Sequence, residues 1–375
     1  MRFLFVAAFQ PTPDSGAAGS VLAIGSALET RGHSVQYEWE PSAPTRIAHP
    51  TASRLLELPS RQLRQVAARL NRIAYDVVIV SQPFAYLVYE RLGPRYPRTV
   101  FLNRTHGWEA RLYDAQHRLG FGEARNPGAR LLSSISEGLT RRACRRTARA
   151  SHAVIAPASR CAEYIREAYG LPPERVPVIS YGLGEAGRAP ARAPRQPGRR
   201  MLFVGNYLPR KGSRVLEALL PPLAAQFPDA SLTFVTDATA RPLLEQHYRE
   251  AFGNRLKVQG WMPRDGLDAL YSTHDILLFP SLFEGFGKVW MEAMAAGMCV
   301  VGFAEGGLPD VAREGEALVC VAGDLTALGS IVRRALEDPR WAAEIGRRGR
   351  ERVQAFSWER TGRETIELCR RLGAP

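Results

Sequence analysis

The chain has 375 residues, of which 45% are hydrophobic and 23% charged, with a formal net charge of +13. That length exceeds the usual span of one core, so two domains are the default expectation, and the apolar share is that of a globular protein rather than a disordered or fibrous one. Five cysteines without C-x-x-C or His-rich spacing argue against a disulfide framework or a structural zinc and suit a reducing cytoplasm, and the longest uncharged apolar run is too short to span a bilayer.

Met1–Ala8 reads as a buried first strand; no A-x-A site follows it, which argues against a leader peptide. A Pro/Gly loop (Gln10–Gly19) leads into a helical pattern through Ala23, Ala27 and Leu28, which ends at Arg31–Gly32, and a new strand opens at His33. Next, Arg61, Arg64, Arg69 and Arg72 alternate with Leu63, Val66, Leu70 and Ile73 at helical spacing. Val77–Val80 and Thr99–Leu102 are buried-strand candidates, and His106 lies just past the second, on the side where α/β sheets bind ligands. Arg125 to Arg149 carries seven arginines against one glutamate. Basic amphipathic stretches of this kind suit either an anionic lipid surface or a solvated helix face. Ala153–Ala156 and Val176–Ile179 are further strand candidates, and Glu185–Arg199, a Gly/Pro/Ala/Arg tract without periodicity, reads as a linker.

The second half repeats the scheme. Arg200–Val204 is a strand, Gly205–Gly212 a loop, Ser213–Phe227 a helix and Leu232–Thr236 the next strand; Cys299–Phe303 is another. Strand–helix alternation in both halves predicts βαβ units and parallel sheets. Trp358–Leu372 is an amphipathic helix.

Phe279 to Gly297 (FPSLFEGFGKVWMEAMAAG) is the most informative stretch. An apolar strand, Asp275–Phe279, reaches a turn at Pro280–Ser281; Glu284 and Gly285-Phe286-Gly287 follow, then a helical pattern carrying Glu292. Glycines bare the backbone and a helix start aims unpaired N–H groups outward, which makes an anion site. Two carboxylates eight residues apart suit hydroxyl-rich groups on either side of that anion. A phosphate flanked by sugars is a nucleotide-sugar.

The order EGFG-x4-EAMAAG after Pro–Ser resembles the E-x7-E signature of family 4 glycosyltransferases, retaining enzymes of the GT-B fold, and the likeness extends over nearly the whole chain. It implies two Rossmann-like doubly wound parallel-sheet domains facing a cleft: residues 1–184 on the acceptor side, a linker at 185–199, and 200–356 for the donor, with 357–375 crossing back to the first. VGNYLPRKG (204–212) resembles the family's VGR-x4-KG loop, so Lys211 matches its phosphate-binding lysine. Asn206 stands where the family has arginine; Arg210 either supplies that charge or is a surface residue. Glu284 matches the glutamate that touches the donor sugar and Glu292 the one that binds the ribose. The amides of Phe286, Gly287 and Lys288, with Gly285 beside them, are expected at the phosphate or sugar. Gly260-Trp261-Met262 matches the loop whose backbone reads the base, which leaves UDP against GDP open. Gly16, in Ser15-Gly16-Ala17-Ala18, matches one glycine of the first-domain G-G-x loop. His106 matches the histidine at the donor sugar's primary hydroxyl, with Trp108 and Glu109 as acceptor-side candidates. Tyr181-Gly182-Leu183-Gly184 stands where the family usually has N-G-V-D.

The implied reaction moves a hexosyl-type sugar from a nucleotide-sugar to a glycan, lipid-linked or small-molecule hydroxyl. No carboxylate pair on the acceptor side suits double displacement; the family's path is front-face, with the diphosphate taking the acceptor's proton. No cofactor or metal is expected. The implied place is the cytoplasm, with peripheral contact with an anionic membrane open. A GT-B epimerase is the nearest rival. A basic nucleic-acid-binding protein is the rival of another class, but interleaved aromatics and a binding module are lacking, so nucleic acid is not an expected partner. Neither half shows the G-x-G-x-x-G of a dehydrogenase.

Overall fold

The computed structural model describes residues 1–11, 16–39, 46–47, 50–81, 83–122, 126–184 and 196–375. The chain forms two compact units, one of Met1–His117, Glu123–Gly182 and Ser357–Pro375, the other of Arg118–Gly122 and Leu183–Phe356. Most of the expected linker, 185–195, lies outside the described residues.

The first unit runs β1 (Arg2–Ala7), α1 (Gly16–Glu29), β2 (Ser34–Trp39), α2 (Pro50–Leu56), α3 (Leu58–Leu70), β3 (Val77–Val80) and α4 (Tyr86–Leu92). It continues with β4 (Val100–Arg104), α5 (Glu109–Leu119), α6 (Pro127–Ala150), β5 (Ala153–Ile155) and α7 (Ser159–Tyr169). Its sheet is parallel, in the order β2-β1-β3-β4-β5. The inner strands are covered on both faces, which is why β3 is an unbroken run of Val and Ile instead of an alternating one. On one face Phe3, Phe5, Val21, Ile24, Leu28 and Ile79 form a core; on the other, Leu4, Val6, Val78 and Val80 meet Val66 and Leu70 of α3 and Tyr89 of α4. The apolar side of α3 is therefore spent inside the fold, and Arg69 is ion-paired with Glu38 at 2.7 Å. Of the two readings open for 61–73, a lipid surface or a solvated face, this packing favours the second.

Val176–Ile179 does not extend the sheet as expected; it makes one isolated bridge, Ala156 to Val178. Pro177 has no N–H to give a ladder. Its carbonyl still accepts from Ala156 N at 3.0 Å.

The second unit runs β6 (Arg200–Val204), α8 (Ser213–Gln226), β7 (Ser231–Val235), α9 (Arg241–Phe252), β8 (Leu256–Gln259) and α10 (Arg264–Thr273). Then come β9 (Ile276–Phe279), α11 (Lys288–Ala295), β10 (Cys299–Phe303), α12 (Leu308–Val311), β11 (Leu318–Cys320), α13 (Leu325–Glu337) and α14 (Pro339–Val353). All six strands are parallel, ordered β11-β10-β9-β6-β7-β8. The winding reverses between β6 and β9. There the connections leave in opposite directions and open a crevice at the strands' carboxyl ends, where doubly wound sheets bind ligands.

The last helix, α15 (Trp358–Arg371), belongs to the first unit. Ser357 caps it through Arg360 N at 3.2 Å, and Ile366, Leu368 and Cys369 enter the core of Phe3 and Leu28. It lies close on α1: a Cβ on Gly362 would come within 3.0 Å of the Ala27 Cβ.

Candidate functional site

The two loops at the winding reversal of the second unit are locked together. After β6 the chain turns through a short 3-10 segment, Pro209–Lys211, to Gly212 at φ 84°. A Cβ on Gly212 would sit 2.1 Å from the Pro280 carbonyl oxygen, so only glycine admits this approach. Leu282 N donates to Arg210 O at 2.9 Å. These contacts bring the half-buried Lys211 Nζ to the buried Glu284 Oε1 in an ion pair, and Ser281 Oγ donates to the same oxygen at 3.0 Å. Two donors on one oxygen fix the carboxylate's orientation. Asn206, at the end of β6, is exposed.

Glu284 opens the glycine stretch that feeds α11. Gly287 is left-handed at φ 83°, and a Cβ there would press on Phe279 and Trp290. The Phe286 ring is buried; its carbonyl accepts from Trp290 Nε1 at 2.8 Å and from Gly307 N at 2.9 Å. The loop after β10 forms the facing wall. A Cβ on Gly306 would meet Phe286 O at 2.3 Å and Glu284 Cβ at 2.9 Å, and Glu305 before it is fully buried. The start of α11 has no side-chain cap, so its first amides and dipole serve what lies before it. Lys288, on that first turn, is largely covered. Burial lowers its pKa, with Glu292 pulling up and Arg264 pushing down. A desolvated ammonium of this kind gains from an anion.

One turn on, both oxygens of Glu292 are held: Oε1 pairs with Arg264 at 2.7 Å and Oε2 accepts from Tyr271 Oη at 3.0 Å. Burial opposes the Arg264 charge, but Glu292 and Asp268 outweigh it and raise its pKa. Arg264 opens α10, directly behind Trp261 and Met262. The Trp261 ring stands 55% exposed just past β8, and Met262 is half-buried against Gly266. Arg264 thus joins the loop of Trp261 and Met262 to Glu292.

In the first unit, His106 follows β4. Its Nδ1 lies 2.5 Å from Tyr181 Oη, and its ring meets Phe9, past β1, edge-on at 5.8 Å. Tyr181 is buried and stacks under Arg104 at 5.2 Å; Arg104, fully buried, donates to Ile179 O at 3.1 Å. Burial lowers the Arg104 pKa, which the Tyr181 oxygen offsets. Glu109 opens α5 with Oε2 sealed from water and lacking a hydrogen-bond partner, and burial raises its pKa to about 7. Trp108 is core instead: it is fully buried and Nε1 donates to Tyr169 Oη at 2.9 Å, which corrects its expected acceptor-side place. Gly16 is exposed with open space around it, while Ser15 lies outside the described residues.

Residues 190–352 match the family profile described as "Glycosyl transferases group 1", and residues 15–183 match "Glycosyltransferase Family 4". Together the matches span most of the chain. It belongs to the group 1, family 4 type of glycosyltransferases.

Among curated relatives of this family, glycogen synthase of Mycobacterium tuberculosis is 30% identical over 225 residues, 59% of this chain and 54% of that protein. D-inositol 3-phosphate glycosyltransferase of Corynebacterium glutamicum is 31% identical over 219 residues, 53% and 52% of the two chains. The chain thus spans about half the length of the curated relatives it matches. Among solved structures, sucrose-phosphate synthase of Thermosynechococcus elongatus superposes with a TM-score of 0.77 at 22% identity over 99% of both chains. The catalytic domain of Arabidopsis thaliana starch synthase IV, bound to ADP and acarbose, gives 0.70 at 12% identity, again over 99% of both. These likenesses show the GT-B α/β fold.

Against that family the second unit gathers Lys211, Arg210, Glu284, Gly285, Phe286, Gly287 and Lys288 at one crevice, with Glu292, Trp261 and Met262 along one flank. Sequence reasoning missed Ser281, Tyr271, Arg264 and the wall of Glu305-Gly306-Gly307. The last had a legible signal: paired glycines right after an apolar strand, as at Glu284. It also read Tyr181 only as a departure from the family pattern, whereas the phenol seats His106.

Proposed function

We propose that this glycosyltransferase moves a hexosyl-type sugar from a UDP- or GDP-sugar to a hydroxyl on a glycan, lipid-linked or small-molecule acceptor, with retention of configuration. The observation that carries the reading is the pair of half-buried Lys211 with buried Glu284 at the winding reversal, beside the uncapped start of α11. A cation and oriented amides suit a diphosphate, and an oriented carboxylate suits sugar hydroxyls.

On this reading the bond between the anomeric carbon and the diphosphate oxygen breaks as the acceptor oxygen bonds to the same face of that carbon. The acceptor's proton passes to the departing diphosphate. Lys211, Lys288 and the α11 amides stabilise the charge growing on that leaving group, so the step calls for no bound metal. Glu284 holds the sugar, Glu292 the ribose, the backbone at Trp261 and Met262 the base, and His106 the sugar's primary hydroxyl.

The test begins with a binding screen of UDP, GDP, ADP and TDP sugars, followed by turnover with the donor that binds. Glu284→Gln and Lys211→Ala are expected to lower kcat by about 10²–10³-fold, the usual cost of losing one oriented charge-stabilising group, in a protein that still folds. Wild-type turnover in either variant sinks the assignment. An NMR coupling constant that shows the opposite anomer in the product sinks retention. Donor consumed at an equal rate without any acceptor favours an epimerase instead.

A further inference from the structure

Helix α6 is anchored by only half its length. Its buried residues are Thr140, Ala143, Cys144, Thr147 and Ala148, all in the second half. Asn126 caps the start, its side chain accepting from Ala129 N at 2.8 Å, and Pro127 begins the first turn, so the outer half is a well-formed helix. That half exposes Leu131 by 63%, Leu132 by 70% and Ile135 by 53%, and Leu139, just past the midpoint, is exposed by 43%. Large apolar side chains on consecutive exposed turns carry a solvation penalty that no neighbour among the described residues relieves.

The period of the helix puts Leu131, Ile135 and Leu139 on one face, with Leu132 on its shoulder. Further along the same face stand Arg142 and Arg149, both exposed. The carboxylate of this helix, Glu137, is turned to Arg141 and His117, and Arg146 is engaged by Glu90 and the Tyr86 ring. The outward face is thus an apolar patch continued by cations and, among the described residues of α6, free of carboxylates.

We propose that this face of α6 docks on an anionic phospholipid surface. Leu131, Leu132, Ile135 and Leu139 enter the boundary between headgroups and acyl chains, and Arg142 and Arg149 lie at the phosphates. Charge selects this occupant: apolar residues and guanidinium groups in one row match the two layers of a lipid leaflet, acyl and phosphate. The inference is independent of the reaction proposed above.

The experiment is flotation of the full chain with vesicles of phosphatidylcholine alone and of phosphatidylcholine with phosphatidylglycerol. Binding is expected to the anionic vesicles only, and to weaken as salt rises. Replacing Arg142 and Arg149 with Gln should lower partitioning about fivefold for each arginine removed. A Leu131→Ser, Leu132→Ser, Ile135→Ser variant should lose association while keeping its melting temperature and its nucleotide-sugar binding. Absence of wild-type flotation with the anionic vesicles overturns the proposal. So does a serine variant that floats like wild type, or a wild-type dimer in sedimentation that this variant dissociates.

Discussion

His106 shows how a single side chain is prepared. Tyr181 is buried, and that burial raises its pKa to about 12, so it is a neutral phenol. Its oxygen lies against the Arg104 guanidinium, a pure donor, and the tautomer is assigned so that the phenol donates its own hydrogen to His106 Nδ1. That choice puts the ring hydrogen on Nε2, the atom the proposed mechanism aims at a sugar hydroxyl. Tyr181→Phe should lower kcat/KM about tenfold, the worth of one hydrogen bond to a working group. In a double-mutant cycle with His106→Ala the two losses should not add; full additivity would make Tyr181 mere packing. Glu109 carries a second prediction. Its carboxyl holds a proton up to about pH 7 in the fold but only to about 4.5 when unfolded. The folded state therefore binds the extra proton between those values, and stability falls as pH rises through that window. Glu109→Gln should remove the fall and gain about 1–2 kcal/mol above it, a figure discounted for partial exposure. Denaturant melts of both proteins across that range decide it; parallel curves refute it. Of the site itself, residues whose roles lie in backbone and charge type (Lys211, Glu284, Gly287) could be read from the chain. Arg264, Tyr271 and Tyr181 could not, because each works through a partner 21 to 75 residues away.

At the scale of elements, legibility followed burial. Strands covered on both faces, such as Val77–Val80 and Cys299–Phe303, are continuous apolar runs that leave little choice of structure. The edge strands β8 and β11 escaped notice because Lys257, Gln259 and Val319 are partly or fully exposed and blur the pattern. Val176–Ile179 failed for the opposite reason, since its composition suits a strand while Pro177 denies it the ladder. The connection that matters most is the one between β6 and α8, where the pinched approach at Gly212 sets the position of Lys211. Gly212→Ala combines a left-handed φ of 84° with a contact of 2.1 Å to Pro280 O. Strain and displacement together should cost about 3 kcal/mol, lowering the melting temperature of the second unit by on the order of 10 °C. Nucleotide-sugar affinity should fall with it, because the loop that carries Lys211 must move. A variant that melts and binds like wild type would mean that the Gly212–Pro280 contact does not position the lysine.

For the whole molecule, the consequential feature is that residues 357–375 return to the first unit. Gly182 is where the first unit hands over to the second, and Ser357 is where the chain returns. A Cβ on Gly182 would lie 2.2 Å from the Ser357 backbone, so outgoing and returning strands of chain touch. Thr361 Oγ1 then donates to Ser180 O at 2.8 Å, and α15 inserts Ile366, Leu368 and Cys369 beside Phe3, Val21 and Leu28. The first unit therefore cannot complete its core until α15 has been made, while every described strand of the second lies between Arg200 and Cys320. A chain ending at Phe356 loses three buried core side chains, each worth about 2–5 kcal/mol. Their sum is comparable to the entire stability of a domain, about 5–15 kcal/mol. The first unit should unfold and the second should not. In hydrogen exchange, amides of β1 and β3 should lose protection while those of β6 and β9 keep theirs, and the truncated chain should still bind nucleotide through Glu292 and the α11 amides. Protected β1 amides in that chain would show that α15 only covers a core that is already complete.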